Sequence, residues 1–214
     1  VHQILRAEGV LFYAGEKAGF RQLYNAVLMP ERGGWYDFEL TKHNVITVRL
    51  VQKRPKILIT ELLKVLGYET EEDIKKLFAD VDTNNEIKYI ESTLARDFTK
   101  SKDEAVISIY NKLRPDESVT LESAEKYIKS LFFNNRKFDL GKIGRYQINK
   151  KLGTEYPLDT DHCKLYLDDV ILVIKRLIEI NNGVKPPDDI DNLANRRIRS
   201  VGEILVDQLR IGVR

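Results

Sequence analysis

The rhythm of hydrophobic and polar positions changes once along the chain, near residue 55. Before that point, short aromatic and β-branched runs occupy 9–13, 23–29, 35–40 and 44–50. Turn residues separate them: Gly15, Gly19, Pro30 with Gly33-Gly34, and Lys42-His43-Asn44. In the third run Trp35, Asp37 and Glu39 alternate with Tyr36, Phe38 and Leu40, the period of a strand with one wet face. After Pro55, which suits a first helical turn, Leu58, Leu62, Val65 and Leu66 recur at helical spacing until Gly67. Thr70 ahead of Glu71-Glu72-Asp73 predicts a capped helix over Glu71–Phe78. Another helix, Lys102–Leu113, has to stop before Pro115. Thr120 is the expected cap for Leu121–Phe132, and Asp139 for Leu140–Lys151. The strongest helical stripe runs from Asp161 to Asn181, with Leu167, Val170, Ile171, Ile174, Leu177 and Ile178 on one face and Asn182-Gly183 closing it. Pro186-Pro187 breaks the pattern, and a last helix starts at Val201. No repeat or low-complexity tract interrupts this order. The fold class is α+β, a β-rich N-terminal part followed by a helical remainder.

Composition narrows the picture a little. At 214 residues, 43% of them hydrophobic, the chain makes one large domain or two small ones and needs no covalent staple. Cys163 is the single cysteine, which excludes an intramolecular disulfide and any multi-cysteine metal site. No apolar run approaches the roughly 20 residues of a membrane span, and a reducing, cytoplasmic setting is the expectation. The formal charge of +2, from 35 basic and 33 acidic residues, names no partner. Beginning at Val1 and stopping at Arg214 in mid-pattern, the sequence reads as a piece of a longer chain.

Candidate chemistry is thin. His2, His43 and His162 are far apart and share no ligand or catalytic spacing. Cys163, expected at a helix start, is either a thiol activated by the helix dipole or a small buried residue. Asp80, Asp82, Asn84 and Glu91 fall on positions 1, 3, 5 and 12 of an EF-hand calcium loop. Against that reading, Asn85 replaces the glycine, Lys88 takes the ninth position and no second loop appears; an acidic surface turn is the plainer alternative. Asp188, Asp189 and Asp191 could gather a magnesium ion, or could pair with Arg196, Arg197 and Arg199. A basic stretch (Arg136, Lys137, Lys142, Arg145, Lys150, Lys151) is interleaved with Phe132, Phe133, Phe138 and Tyr146, and Arg49, Lys53, Arg54 and Lys56 form a second basic run. Such patterns neutralise phosphates and stack on bases, or they are solvated helix faces beside core aromatics.

A resemblance decides among these readings. The stretch from Asp188-Asp-Ile-Asp-Asn-Leu-Ala-Asn to Arg196-Arg-Ile-Arg-Ser-Val-Gly-Glu203 resembles D-D-I-D-H-L-G-N-R-R-I-R-S-V-G-E of the bacterial RNA polymerase beta subunit, departing at Asn192 and Ala194. Val1–Val10, Leu23–Ala26, Arg32–Glu39, Leu113–Glu117, Leu131–Phe133 and Phe138–Arg145 are similar to that family in the same order. The likeness is weakest over about 70–100. It implies the lobe of that subunit over 9–187, flanked by 1–8 from the neighbouring protrusion and by 188–214 returning toward it.

By the same resemblance, the chain holds no catalytic residue or cofactor. The magnesium of the complete polymerase is held by aspartates of the other large subunit. DNA is the implied partner, together with the alpha, beta prime and omega subunits and the sigma factor, and no membrane. Trp35 matches a tryptophan that stacks on a non-template base, and Asp191 matches an aspartate that recognises a flipped-out guanine. Arg196 and Arg199 match arginines beside that pocket. Arg114 matches one directed toward the non-template strand, and Lys137 stands where the family has a channel arginine. Trp35 and Asp191 are then expected to face one groove.

Overall fold

A computed structural model describes residues 3–84, 87–117, 120–159 and 163–213. Strand β1 (Gln3–Arg6) stands apart from the next five. Strands β2 (Gly9–Ala18), β3 (Arg21–Met29), β4 (Tyr36–Leu40), β5 (Ile46–Arg49) and β6 (Ile57–Leu58) form an antiparallel meander in that spatial order. Tyr36, Phe38 and Leu40 are buried while Asp37 and Glu39 keep solvent contact, as the alternation requires. Where a turn was expected at Gly15, the β2–β3 register shifts between Ala14 and Lys17, and β2 continues as a bulged strand. The helix expected just after Pro55 begins only at Ile59, because Ile57 and Leu58 first pair with β5.

The remaining helices are α1 (Ile59–Leu66), α2 (Glu71–Phe78), α3 (Tyr89–Leu94), α4 (Lys102–Leu113), α5 (Leu121–Phe133), α6 (Gly141–Leu152), α7 (Leu167–Asn181) and α8 (Val201–Gly212). Thr70 Oγ1 caps α2 by accepting the Asp73 N–H at 3.1 Å. The Thr120 hydroxyl instead donates to Ser123 Oγ, and only its carbonyl enters the helix. Asp139 lies one residue upstream of the α6 cap and accepts the Gly141 N–H at 3.0 Å. Helix α7 starts at Leu167, where Asp169 accepts the Tyr166 N–H and closes the first turn; the expected start, Asp161, lies outside the described residues. His2 and His162 lie outside the described residues.

One face of the sheet, through Val10, Phe12, Leu28, Phe38, Val48 and Ile57, merges with the helices into a single core. Helix α6 packs on β2 and α7 on β3, while α4 packs against both α1 and α5. Two ion pairs are sealed inside. Arg145 makes a fork of two 2.7 Å bonds to Asp169 with neither side chain exposed, and Lys64 meets Asp97 at 2.9 Å. Tyr156 and Tyr166, stacked at 4.2 Å, close over the Arg145 guanidinium.

The last strand, β7 (Arg196–Arg199), pairs antiparallel with β1, so residues nearly 200 positions apart form a separate two-stranded ribbon. The hydrophobic pattern does not announce either strand. Arg196-Arg197-Ile198-Arg199 is a strand because β1 supplies its hydrogen-bonding partner.

Candidate nucleic-acid interface

The six residues expected to meet DNA fall into three pairs. Trp35 and Arg199 share the first, a cleft of about 700 Å³ between the ribbon, α8 and the loop after β3. Trp35 stands just ahead of β4 and remains 41% exposed. Its loop is clamped to the segment before α6: the Arg32 N–H donates to the Asp139 carbonyl at 3.1 Å, and the Asp139 N–H returns the bond at 2.9 Å. Gly33, at φ 131°, makes that approach possible, because a Cβ there would meet the Lys137 carbonyl at 2.6 Å. Arg197 also lines the cleft but is occupied by Glu8 at 2.8 Å and Glu203 at 2.9 Å.

Asp191 and Arg196 form the second pair. The Arg196 guanidinium donates to Asp191 Oδ1, and its Nε to the Ile190 carbonyl at 3.2 Å. Asp191 is nevertheless 85% exposed, a carboxylate steered from behind with its outer edge open. The two departures from the family motif sit beside it: Asn192 Oδ1 accepts the Ala194 N–H at 3.0 Å, opening a short 3-10 turn over Leu193–Asn195. Asp191 is not among the residues lining the Trp35 cleft. Strand alternation is the reason: along β7, Arg197 and Arg199 project to one side and Arg196 to the other. The expectation of one groove shared by Trp35 and Asp191 therefore becomes two adjoining surfaces around one ribbon.

Arg114 and Lys137 make the third pair, joined through a residue the sequence did not single out. The Arg114 guanidinium lies 4.6 Å from the centre of the Tyr127 ring, and Lys137 Nζ lies 4.8 Å from the same centre. Glu117 accepts two bonds from Arg114 at 2.9 and 2.7 Å, and Lys137 donates to Ser130 Oγ at 2.6 Å. Glu117 and then Tyr127 hold the Arg114 guanidinium above its ordinary pKa. Tyr127 carried no spacing signal, because its ring reaches both cations from α5, whereas Glu117 lies three residues after Arg114 within the matched Leu113–Glu117 stretch.

Several other expectations are corrected. Phe132 and Phe138 are fully buried, the first tilted against Tyr36 and the second stacked on it, and cannot present a face to a base. Arg145 is removed from the basic surface by its buried pairing with Asp169. Lys151 is largely withdrawn as well; burial pushes its pKa down, with Asp188 acting the other way. Arg49 and Lys56 both pair with Glu39.

The carboxylates of the two candidate metal motifs diverge. Asp80 turns to Lys175, whereas Asp82 accepts the Tyr89 and Ile90 N–H groups at the start of α3. Lys88 donates to the Asp82 carbonyl, and positions 85 and 86 lie outside the described residues. Asp188 accepts from Phe12 N–H and Lys151, Asp189 from the Asp191 N–H, and Asp191 from Arg196. Among the described residues no three His, Cys, Asp or Glu side chains converge as a metal site. Cys163 precedes α7 by several residues, is buried, and has its thiol pKa pushed up by burial and by Asp139. No helix is long and apolar enough to cross a membrane.

In class the molecule is an α+β domain, an antiparallel meander packed with helices and accompanied by a separate two-stranded ribbon. The family model described as RNA polymerase Rpb2, domain 2, matches residues 6–199, and the chain belongs to that family. It is 40% identical over its whole length to the DNA-directed RNA polymerase subunit beta of Dehalococcoides mccartyi strain CBDB1, and 38% identical to that of Streptomyces coelicolor. The same subunit of a Nocardioides species is 39% identical, again across the whole chain. The chain spans 17%, 19% and 18% of the length of these three relatives, respectively.

Proposed function

We propose that this chain is the lobe of a DNA-directed RNA polymerase beta subunit and contacts downstream and non-template DNA in the main channel. In this reading 9–187 form the lobe proper, while 1–8 and 188–214 connect it to the protrusion. Nucleotidyl transfer and its magnesium belong to other parts of the assembled enzyme, which also contains the alpha, beta prime and omega subunits and the sigma factor, acting in the bacterial cytoplasm.

The observation that carries the proposal is Asp191, an open carboxylate oriented by Arg196. A flipped-out guanine offers its ring N–H and its amino group side by side, and both can donate to the two carboxylate oxygens. Adenine presents an acceptor where the ring N–H is needed and is rejected. Trp35, in the adjoining cleft, supplies a face for stacking, and Arg199 a cation beside it. Arg114 and Lys137, held by Tyr127, suit phosphate contacts further along the strand.

The test is open-complex lifetime of the assembled polymerase with each of the four bases at the downstream non-template position. Guanine should give the longest lifetime, and Asp191→Ala should remove that advantage, worth about 1–3 kcal/mol by analogy with base contacts in duplex grooves. Equal lifetimes for all four bases in the parent enzyme would rule out the guanine pocket.

A further inference from the structure

Lys151 does not face solvent as Lys142 and Lys150 of α6 do. Its ammonium donates to the Val10 carbonyl of β2 at 2.8 Å, to Asp188 Oδ2 at 2.7 Å and to Asn195 Oδ1 at 2.9 Å. The first acceptor belongs to the main sheet; the other two stand at either end of the loop that carries Asp191. All three donor positions of the ammonium are used, and their directions are fixed by backbone on both sides. Phe12 and Asp188 exchange bonds at 2.9 Å, Ala7 N–H reaches the Asn195 carbonyl at 2.9 Å, and Gln147 donates to the Ala194 carbonyl at 3.1 Å. Asn195 Nδ2 closes the loop on itself through the Asp189 carbonyl at 2.7 Å. Helix α6 can come this close because Gly9 lies beneath it, where a Cβ would meet Gln147 Cβ at 2.7 Å.

Between the two clamped ends, 189–194 are exposed. The loop is therefore anchored at its base and open at its tip, with one cation bonded to both ends. Burial disfavours the charged amine there, so the site tolerates the desolvation cost in exchange for three directed bonds.

We infer that Lys151 is a positioning residue for base recognition: it fixes the separation of Asp188 and Asn195 and thereby the angle at which Asp191 meets an extruded guanine. This rests on the reading of Asp191 given above. A loop of this length held by its own turns alone would sample several carboxylate orientations, and a two-point contact to a base loses strength steeply with misalignment. Arg196 alone cannot set the angle, since it belongs to the flanking strand and follows the loop's end.

The assembled polymerase is compared as parent, Asp191→Ala, Lys151→Met and Lys151→Arg, with each of the four bases at the downstream non-template position. Lys151→Met should reduce the guanine-over-adenine lifetime ratio by roughly fivefold or more, most of what Asp191→Ala removes. It should leave lifetimes with the other three bases unchanged, and Lys151→Arg should restore part of the ratio. Hydrogen exchange should speed up across 188–195 in Lys151→Met but not in α7. Asn195→Ala, which removes only the loop-side acceptor, serves where Lys151→Met fails to assemble and should give a smaller loss of the same ratio. A parent that prefers guanine, an Asp191→Ala that does not, and a Lys151→Met that still does would overturn the inference and leave the Asp191 reading intact. Equal shortening with all four bases would make Lys151 merely structural. Four equal lifetimes in the parent would remove both.

Discussion

The meander with α1–α7 and the ribbon with α8 are stabilised in different ways. In the first region strands and helices share one core, and even its charged members are sealed: Arg145 with Asp169, Lys64 with Asp97. In the second, β1 is exposed along its length, and no described side chain of α8 is buried. Val201, Leu205 and Leu209, spaced four apart, form an apolar stripe that is 43%, 57% and 66% exposed. Ile4 and Ile198, cross-strand partners on the ribbon, are 63% and 66% exposed. Backbone hydrogen bonds, between β1 and β7 and within α8, hold these elements, and apolar burial contributes little to them. Four of the six candidate DNA contacts, Trp35, Asp191, Arg196 and Arg199, lie where the two regions meet, with Lys151, rooted in the first, bonded to the loop of the second.

Three experiments probe that contrast. The largest effect is expected from Arg145→Met, which leaves the Asp169 carboxylate buried without its counter-ion; chemical unfolding of the chain should show a loss of about 3–5 kcal/mol. Adding Asp169→Asn should recover part of it, since the amide keeps an acceptor for the Tyr166 N–H. If the single variant costs nothing measurable, the pair is not sealed and the two regions are held in more similar ways.

A smaller effect concerns acid. Burial pushes the Asp97 carboxyl up, but hydrogen bonds from Thr99 and Lys64 outweigh it and hold the pKa below the ordinary aspartate value. A depressed folded pKa contributes stability that is complete above the unfolded value and is lost as pH falls through the folded one. Unfolding midpoints should therefore drop on acidification below about pH 4, and Asp97→Asn should flatten that limb. An identical acid limb in the variant would assign the loss to other carboxylates.

The smallest effect should come from the ribbon. Ile198→Ala removes an exposed side chain and should change stability by no more than about 0.5 kcal/mol in the same measurement. A cost near 2 kcal/mol would mean that the ribbon shares the core's cooperativity.

Much of the first region was legible in advance. The alternation at 36–40, the helices over 71–78 and 102–113, and the collinear family motifs each depend on near neighbours, and local order survives in any fold that uses it. Boundaries were less legible where a distant group intervened, as when β5 captured Ile57 and Leu58. Within the candidate site, residue types were legible and groupings were not. Trp35 and Asp191 were expected to share a groove, yet the two-residue period of β7 puts their neighbouring arginines on opposite sides.

By itself the amino-acid sequence determined the α+β order, the family and the identity of the charged and aromatic candidates. Tertiary structure alone decided which charges remain available. Arg145 and Lys151 belong to one basic stretch in sequence, but Asp169 and Asp188, 24 and 37 residues away from them respectively, take both out of it. Periodicity reports which face a side chain occupies; whether a cation on that face stays in water depends on a counter-ion that only the folded chain brings within reach.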